Sequence, residues 1–138
     1  MPAQDLYHPV VRNALEKDGW DVTDDPLLVR FLGVQLWIDL GAERVIAAER
    51  GSRKIAVEIK SFLDSSVVSD FHNALGQYLN YRTALADQDP ERVLYLAVPE
   101  TVYRTFFQSP FGQFSTEHYQ LKLLVYSIQQ QEVVEWLS

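Results

Sequence analysis

The sequence contains no cysteine, and no stretch of it stays apolar for long enough to cross a membrane. The lack of cysteine excludes disulfides, zinc sites built from thiolates, and cysteine nucleophiles. A membrane-spanning helix needs about 18 or more apolar residues in a row, and no run here approaches that length. The first five residues also lack the basic and apolar segments of a secretory signal. We therefore expect a cytoplasmic protein without membrane contact.

Basic residues are also scarce. Twelve Lys and Arg stand against nineteen Asp and Glu, which gives a net charge of −7. Nucleic-acid affinity depends on Lys and Arg that displace counterions from phosphates, so this chain is expected to be a poor general binder of nucleic acid. Five of the twelve cations lie close together in the sequence: Arg44, Arg50, Arg53, Lys54 and Lys60. We expect any anionic ligand to bind near this segment.

The remaining composition is typical of one globular α/β domain over residues 1–138. The chain is 47% hydrophobic, and its three Trp, seven Tyr and seven Phe are sufficient for a core. The hydrophobic pattern predicts the element order α-β-β-β-α-β-α-β-β. Helices that alternate with strands favour a mixed β-sheet flanked by helices. The pattern places a connection at 20–25 and two closing strands within 121–137, whose Tyr126 and Trp136 offer an interaction surface.

Two further helices and a hairpin are predicted around the central charged residues. Asp64-Ser65-Ser66 offers N-cap residues for a helix over about 66–87, and a shorter helix runs from Pro99 to Phe107. Before them, two strand-like runs flank Gly51-Ser52, which predicts a hairpin with a two-residue turn. In that register Lys60 faces Glu43. The side chains of Ile55, Val57 and Ile59 then point to one face, and those of Lys54, Ala56, Glu58 and Lys60 to the other.

Glu58 and Lys60 are the first candidate site residues. They share one strand face about 6.5–7 Å apart, and two unpaired charges there would be costly in an apolar core. This face is therefore either wet, with a weak salt bridge, or a site. Asp39 ends the apolar run 34–38, where it is either a turn residue or a ligand. With Glu58 it would suit Mg²⁺ or Mn²⁺, and Lys60 would orient water or stabilise charge on phosphate.

The series Asp39, Glu58-x-Lys60 and Gln77-xxx-Tyr81 resembles the PD-(D/E)xK nuclease superfamily and its RecB-like branch. The resemblance implies a restriction-endonuclease-like fold, with an αβββαβ core plus a C-terminal hairpin. It also implies that Asp39 and Glu58 hold Mg²⁺ or Mn²⁺, and that Lys60 and Gln77 join them in catalysis. Tyr81 would contact nucleic acid or brace Gln77. Two residues of the basic segment are further candidates for nucleic-acid contact: Arg53 and Lys54.

Two other acids compete for the metal. With the turn at Gly51-Ser52, Asp39 lies about 13 Å beyond Glu43, and only a bend at Gly41 would bring it back to Glu58. Without that bend, Glu43 is the better second ligand. Glu16 is either an outer metal ligand, as the superfamily resemblance implies, or the partner of a surface ion pair with Arg12. On the same helix face we expect a solvated His8.

The chain as a whole resembles the XisH family, the fdxN-element excision controlling factors of cyanobacteria. The likeness runs from Gln4-Asp5-Leu6-Tyr7-His8 through Val57-Glu58-Ile59-Lys60-Ser61-Phe62 to Trp136. It implies an accessory role in site-specific DNA excision, with DNA, a XisI-like protein and a site-specific recombinase as partners, and it leaves a homodimer open. The alternative is an active Mg²⁺-dependent endonuclease, toxin-like and restrained by the XisI-type partner. Enzymatic activity stays open at this point.

Overall fold

The computed structural model describes residues 5–47 and 51–138. The last three residues of the first predicted hairpin strand, 48–50, which include Arg50, lie outside the described residues. Within these ranges, no helix is long and apolar enough to span a membrane. The elements in chain order are α1 (His8–Lys17), β1 (Asp21–Asp24), β2 (Leu27–Phe31), β3 (Val34–Ile38), β4 (Leu40–Ala47), β5 (Gly51–Ile59), α2 (Val67–Gln88), β6 (Arg92–Pro99), α3 (Glu100–Thr105), α4 (Pro110–His118), β7 (Leu123–Ser127) and β8 (Glu132–Leu137).

Six strands form one mixed sheet in the order β1-β4-β5-β6-β7-β8. The pairs β5–β6 and β6–β7 are parallel, and the other three pairs are antiparallel. The predicted mixed sheet flanked by helices is therefore confirmed. Strands β2 and β3 pair only with each other, as a separate hairpin inserted between the edge strand β1 and its neighbour β4.

The sheet separates two layers of apolar side chains. On one face α1 packs on Ile55, Val57 and Ile59 of β5. On the other face α2 packs with the β2–β3 hairpin and α3 on Ala56 and the inner strands. This is the alternation predicted along β5, and it assigns Glu58 to the α2 side of the sheet.

The helix starts follow their sequence signals. Pro9 lies in the first turn of α1, where its missing N–H removes no hydrogen bond. The Ser66 hydroxyl accepts a hydrogen bond from the Ser69 N–H at 3.2 Å, so of the predicted N-cap run 64–66 it is Ser66 that caps α2. Helix α4 was not predicted, although Ser109 and Pro110 are a typical N-cap and first helical residue. The segment 20–25, predicted as a connection, contains the edge strand β1.

The predicted hairpin register is wrong. Gly51 and Ser52 belong to β5, where they pair with Ala47 and Val45, so they do not form the turn. Residues 48–50, between β4 and β5, lie outside the described residues. Glu43 consequently faces Lys54 and not Lys60. A glycine before a β-prone run suits a strand end as well as a turn, so the sequence signal did not fix the loop position.

The predicted aromatic interaction surface on the closing strands is also wrong. Tyr126 is fully buried, with its ring against Tyr7. Trp136 turns inward to Tyr95, with ring centroids 4.9 Å apart, and to Trp20. Both aromatic residues fill the α1 layer, because the face of β7–β8 that carries them is the one that α1 covers.

Candidate active site: a pair of carboxylates at the end of β5

Asp39 and Glu58 lie side by side where β4 begins and β5 ends. Leu40 pairs with Val57, so the preceding and following residues, Asp39 and Glu58, are brought together without any bend at Gly41. The Asp39 N–H donates to Glu58 Oε1 at 3.3 Å, and the Ile59 N–H donates to Asp39 Oδ2 at 2.7 Å. The corrected register therefore places Asp39, and not Glu43, beside Glu58.

Both carboxyl groups of this pair resist ionisation. Glu58 is 8% exposed, and burial, followed by the charge of Asp39, raises its pKa to about 9. Burial also raises the pKa of Asp39, although the hydrogen bond from the Ile59 N–H and the nearby His8 oppose this. At neutral pH the pair consequently retains a proton in the cation-free protein, since two negative charges cannot both be stable there.

Lys60 is the residue directly after the end of β5. Its N–H donates to the Ala97 carbonyl at 3.1 Å, which continues the parallel pairing past Ile59. Its ammonium makes no ion pair with the described residues. The charge of Lys60 nevertheless acts to lower the pKa of Glu58, and also that of Asp70, which is buried in the first turn of α2. The charge of Lys60 therefore acts on both the carboxylate pair and the first turn of α2.

Helix α2 brings Tyr81 to the pair but leaves Gln77 at the surface. Burial raises the pKa of Tyr81 to about 12, and the charges of Glu58 and Asp39 add to this, so its phenol lies near both carboxyl groups. Gln77, one turn earlier, is exposed and forms no side-chain hydrogen bond with the described part of the chain. The structure therefore brings Tyr81 near Asp39 and Glu58 and leaves Gln77 exposed on α2.

The basic segment does not converge on the carboxylates. Arg53 is about five strand residues, or roughly 17 Å, before Glu58. The Arg53 Nη2 donates to Tyr95 Oη at 3.2 Å. The guanidinium groups of Arg53 and Arg44 each lie 5.9 Å from the centre of the Trp20 ring. Lys54 faces Glu43 across the hairpin. Of the described cations in this segment, Lys60 is the one placed at the site.

A buried polar cluster on α1 was missed by the sequence analysis. His8, expected in solvent, is 3% exposed, and its Nε2 lies 2.6 Å from Asp25 Oδ1. Arg12 Nη1 donates to the other oxygen of Asp25. Helical periodicity could not reveal this, because the residues after β1 fold over the charged side of α1. Glu16 is exposed, with its Oε1 4.0 Å from Arg12 Nε, so it joins the surface pair and not the site.

The oxygen atoms of the carboxylate pair are suited to a hard divalent cation. The protein would supply two ligands to it, Asp39 and Glu58. Across 5–47 and 51–138, no group of three or more His, Asp and Glu side chains is arranged to hold a metal ion. Mg²⁺ and Mn²⁺ keep several waters and are commonly bound through one or two carboxylates plus phosphate oxygens. The raised pKa values fit such a cation, because its charge would replace the retained proton.

Comparison with known proteins identifies the family. The model described as "XisH protein" matches residues 1–134. A solved XisH family protein from Nostoc punctiforme PCC 73102 is 50% identical over 97% of this chain and 100% of that chain, with a TM-score of 0.89. A solved fdxN element excision controlling factor protein from Anabaena variabilis is 49% identical over 98% of this chain and 100% of that one, also with a TM-score of 0.89. No protein of curated function matches. In sequence and in fold alike, this chain belongs to the XisH family.

Proposed function

We propose that this protein is an accessory factor in site-specific DNA excision that keeps a divalent-cation site on a nuclease-like scaffold. Family membership supports the role in DNA excision, because a relative that is 49% identical is described as an fdxN element excision controlling factor. The observation that carries the cation site is the hydrogen-bonded contact between Asp39 and Glu58, with Lys60 directly after the last residue of β5.

In this proposal Asp39 and Glu58 hold Mg²⁺ or Mn²⁺. Each carboxylate commits one oxygen to a backbone N–H, which fixes its orientation and leaves its other oxygen to face a cation. A bound cation would polarise a phosphoryl oxygen and lower the pKa of a bound water. The restriction-endonuclease-like assignment is supported by the order of α1, β1, β4, β5, α2 and β6.

The other predicted site residues have separate proposed roles. Lys60 would orient the attacking water or stabilise charge on phosphate, since its ammonium has no ion-pair partner among the described side chains. Tyr81 and Gln77 would contact the nucleic acid from α2, and Gln77 would position it for reaction. Lys54 would contact it only where it extends roughly 13 Å along β5, and Arg53, on the α1 side of the sheet, only where it passes to that face.

The proposed partners are DNA, a XisI-like protein and a site-specific recombinase. The net charge of −7 favours DNA contacts made jointly with such a partner, because this chain alone offers few cations for phosphates. A homodimer would be another means of enlarging the contact surface. Co-purification of the tagged protein with a XisI-like protein or a recombinase would support the accessory role, and strong cleavage by the isolated chain would contradict it.

The second candidate function is an active Mg²⁺-dependent endonuclease, toxin-like and restrained by the XisI-type partner. Its support is specific, because Glu58 lies on the α2 side of β5 with Asp39 beside it, and Lys60 directly follows the strand. Cleavage of plasmid DNA or RNA with Mg²⁺ should disappear in Glu58→Ala and Lys60→Ala while both variants stay folded. Retained cleavage in both would end this alternative. Growth arrest relieved by co-expressed partner would favour the toxin-like form.

The cation site is tested by Mn²⁺ binding, followed by electron paramagnetic resonance. We expect Glu58→Gln to weaken binding by at least about tenfold, because the variant keeps the shape and loses the charge. Glu135→Gln, on the edge strand β8, is the matched control and should bind as the wild type does. Equal Mn²⁺ affinity in wild type and Glu58→Gln would refute the site.

A further inference from the structure

The β2–β3 hairpin has an outward face that is exposed toward its tip, at Arg30 and Gln35, and half-buried toward its base, at Leu28 and Trp37. Its inward side chains pack on the core beside α2, led by Val29 and Ile38. The register places two cross-strand pairs on the outward face: Leu28 with Trp37, and Arg30 with Gln35. Arg30 and Gln35 are exposed. The hairpin is therefore anchored by one face and free to contact a ligand with the other.

The tip of this hairpin carries a leucine that folding does not explain. Leu32 and Gly33 form the two-residue turn, with φ of +48° and +80°. Such a turn favours Asn-Gly, since a leucine is strained at positive φ. Leu32 is also 85% exposed, so burial does not compensate for the strain. Val34 beside it is exposed as well. An exposed apolar tip of this kind is typical of a contact surface.

Charge favours nucleic acid as the ligand of this face. Arg30 is the sole charged residue in 26–38, in a chain that otherwise has an excess of acids. Its guanidinium makes no ion pair with the described side chains. An exposed cation and an exposed amide on one face, with an apolar tip beyond them, are the side chains with which proteins contact phosphates and enter a groove.

The hairpin is also continuous with the carboxylate pair. Strand β3 ends at Ile38, and the next residue is Asp39. At about 3.3 Å per residue, Gln35 lies roughly 13 Å from Asp39 and the tip roughly 20 Å from it. With 3.4 Å of rise per base pair, that reach corresponds to about six base pairs of duplex. A phosphate at Asp39 and Glu58 would thus leave flanking duplex within reach of the tip.

We infer that the β2–β3 hairpin is a DNA-contacting arm, in which Leu32 enters a groove of duplex flanking the carboxylate pair and Arg30 contacts its backbone. The inference rests on the proposed function, since it takes the phosphate at Asp39 and Glu58 as its reference point. It adds a contact surface remote from the cation site.

The test compares duplex binding by wild type, Leu32→Asn and Arg30→Gln, using fluorescence anisotropy with a labelled 30-base-pair DNA and Mn²⁺. Leu32→Asn should bind about tenfold more weakly while its melting temperature stays equal or rises, because Asn-Gly suits the turn. Arg30→Gln should reduce the slope of log affinity against log salt by about 1. The controls are Val134→Thr on β8 and Arg104→Gln on α3, which should match the wild type.

Three results would overturn the arm. The first is unchanged DNA affinity in Leu32→Asn, and the second is no duplex binding by wild type. The third is that Leu32→Asn loses self-association, measured by sedimentation, but keeps its DNA affinity. That result would make the tip a protein contact. Mn²⁺ binding by Glu58→Gln is measured in parallel, so failure of the arm and failure of the cation site are seen separately.

Discussion

The Asp39 N–H donates to Glu58 Oε1 at 3.3 Å, while the Ile59 N–H donates to Asp39 Oδ2 at 2.7 Å. The two acids are therefore held by the backbone of each other's strand. A carboxylate fixed in this way cannot rotate to avoid its neighbour, so the repulsion between the two charges is built into the fold. The raised pKa values of both groups express that repulsion together with burial.

Glu58 should make the cation-free protein less stable as the pH rises. The folded state retains the Glu58 proton up to its pKa of about 9, whereas the unfolded state loses it near 4.5. Between these values unfolding releases a proton, so the free energy of unfolding falls with a slope of about 1.4 kcal/mol per pH unit from this group. Glu58→Gln should remove that slope and be the more stable protein at pH 8.

Urea unfolding of wild type and Glu58→Gln, measured from pH 5.5 to 8.5 with chelator, provides the comparison. The difference between the two free energies isolates Glu58, because all other titrating groups are shared. Glu135→Gln on β8 is the control and should run parallel to the wild type. Parallel curves for Glu58→Gln and wild type would show that Glu58 ionises normally in the folded protein.

Divalent-cation affinity should rise steeply with pH. A cation that binds Asp39 and Glu58 must displace the proton that the pair retains. Below a pKa of about 9, Mn²⁺ affinity should therefore increase about tenfold per pH unit, with one proton released. Isothermal titration calorimetry in two buffers of different ionisation enthalpy measures this release. Mn²⁺ affinity that does not change between pH 6 and 8 would contradict it.

Gly112 is required by the close approach of α4 to the residues before it. A Cβ at this position would lie 2.1 Å from the Phe106 carbonyl oxygen and 2.7 Å from the Phe107 Cα. Because backbone atoms cannot move aside easily, Gly112→Ala should destabilise the protein by about 3 kcal/mol. Gly76→Ala is the control in α2, where a Cβ meets nothing within 4 Å, and it should stabilise by about 0.5–1 kcal/mol. Thermal denaturation of both variants decides the comparison, and a neutral Gly112→Ala would refute the tight packing.

Tyr78 joins α2 to two strands through its hydroxyl. The buried phenol donates to the Leu94 carbonyl at 3.1 Å and accepts from the Lys122 N–H at 3.1 Å. Tyr78→Phe should lower the free energy of unfolding by about 1–3 kcal/mol, because both backbone groups lose their partner. Tyr103→Phe, whose hydroxyl has no partner within the described chain, should change it by less than about 0.5 kcal/mol. Equal effects of the two changes on urea unfolding would show that the Tyr78 bonds contribute nothing.

Local signals in the sequence determined much of the architecture. The alternation along β5 assigned Glu58 to the face opposite Ile55, Val57 and Ile59, and the run 64–66 marked the start of α2. Both are confirmed, because side-chain periodicity and helix capping depend on neighbours in sequence. The family resemblance was likewise within reach of the sequence, since it runs over nearly the whole chain. The metal ligands and nucleic-acid contacts remain proposals.

Tertiary structure decided which residues meet. The register that places Asp39 beside Glu58 depends on where the β4–β5 connection falls, and a shift in that connection moves every cross-strand pair. The burial of His8 depends on Asp25, seventeen residues later, folding over α1. Neither is encoded in local periodicity, because both follow from packing between segments that are distant in sequence. Composition and pattern therefore determined the elements and their faces, and long-range packing determined the site.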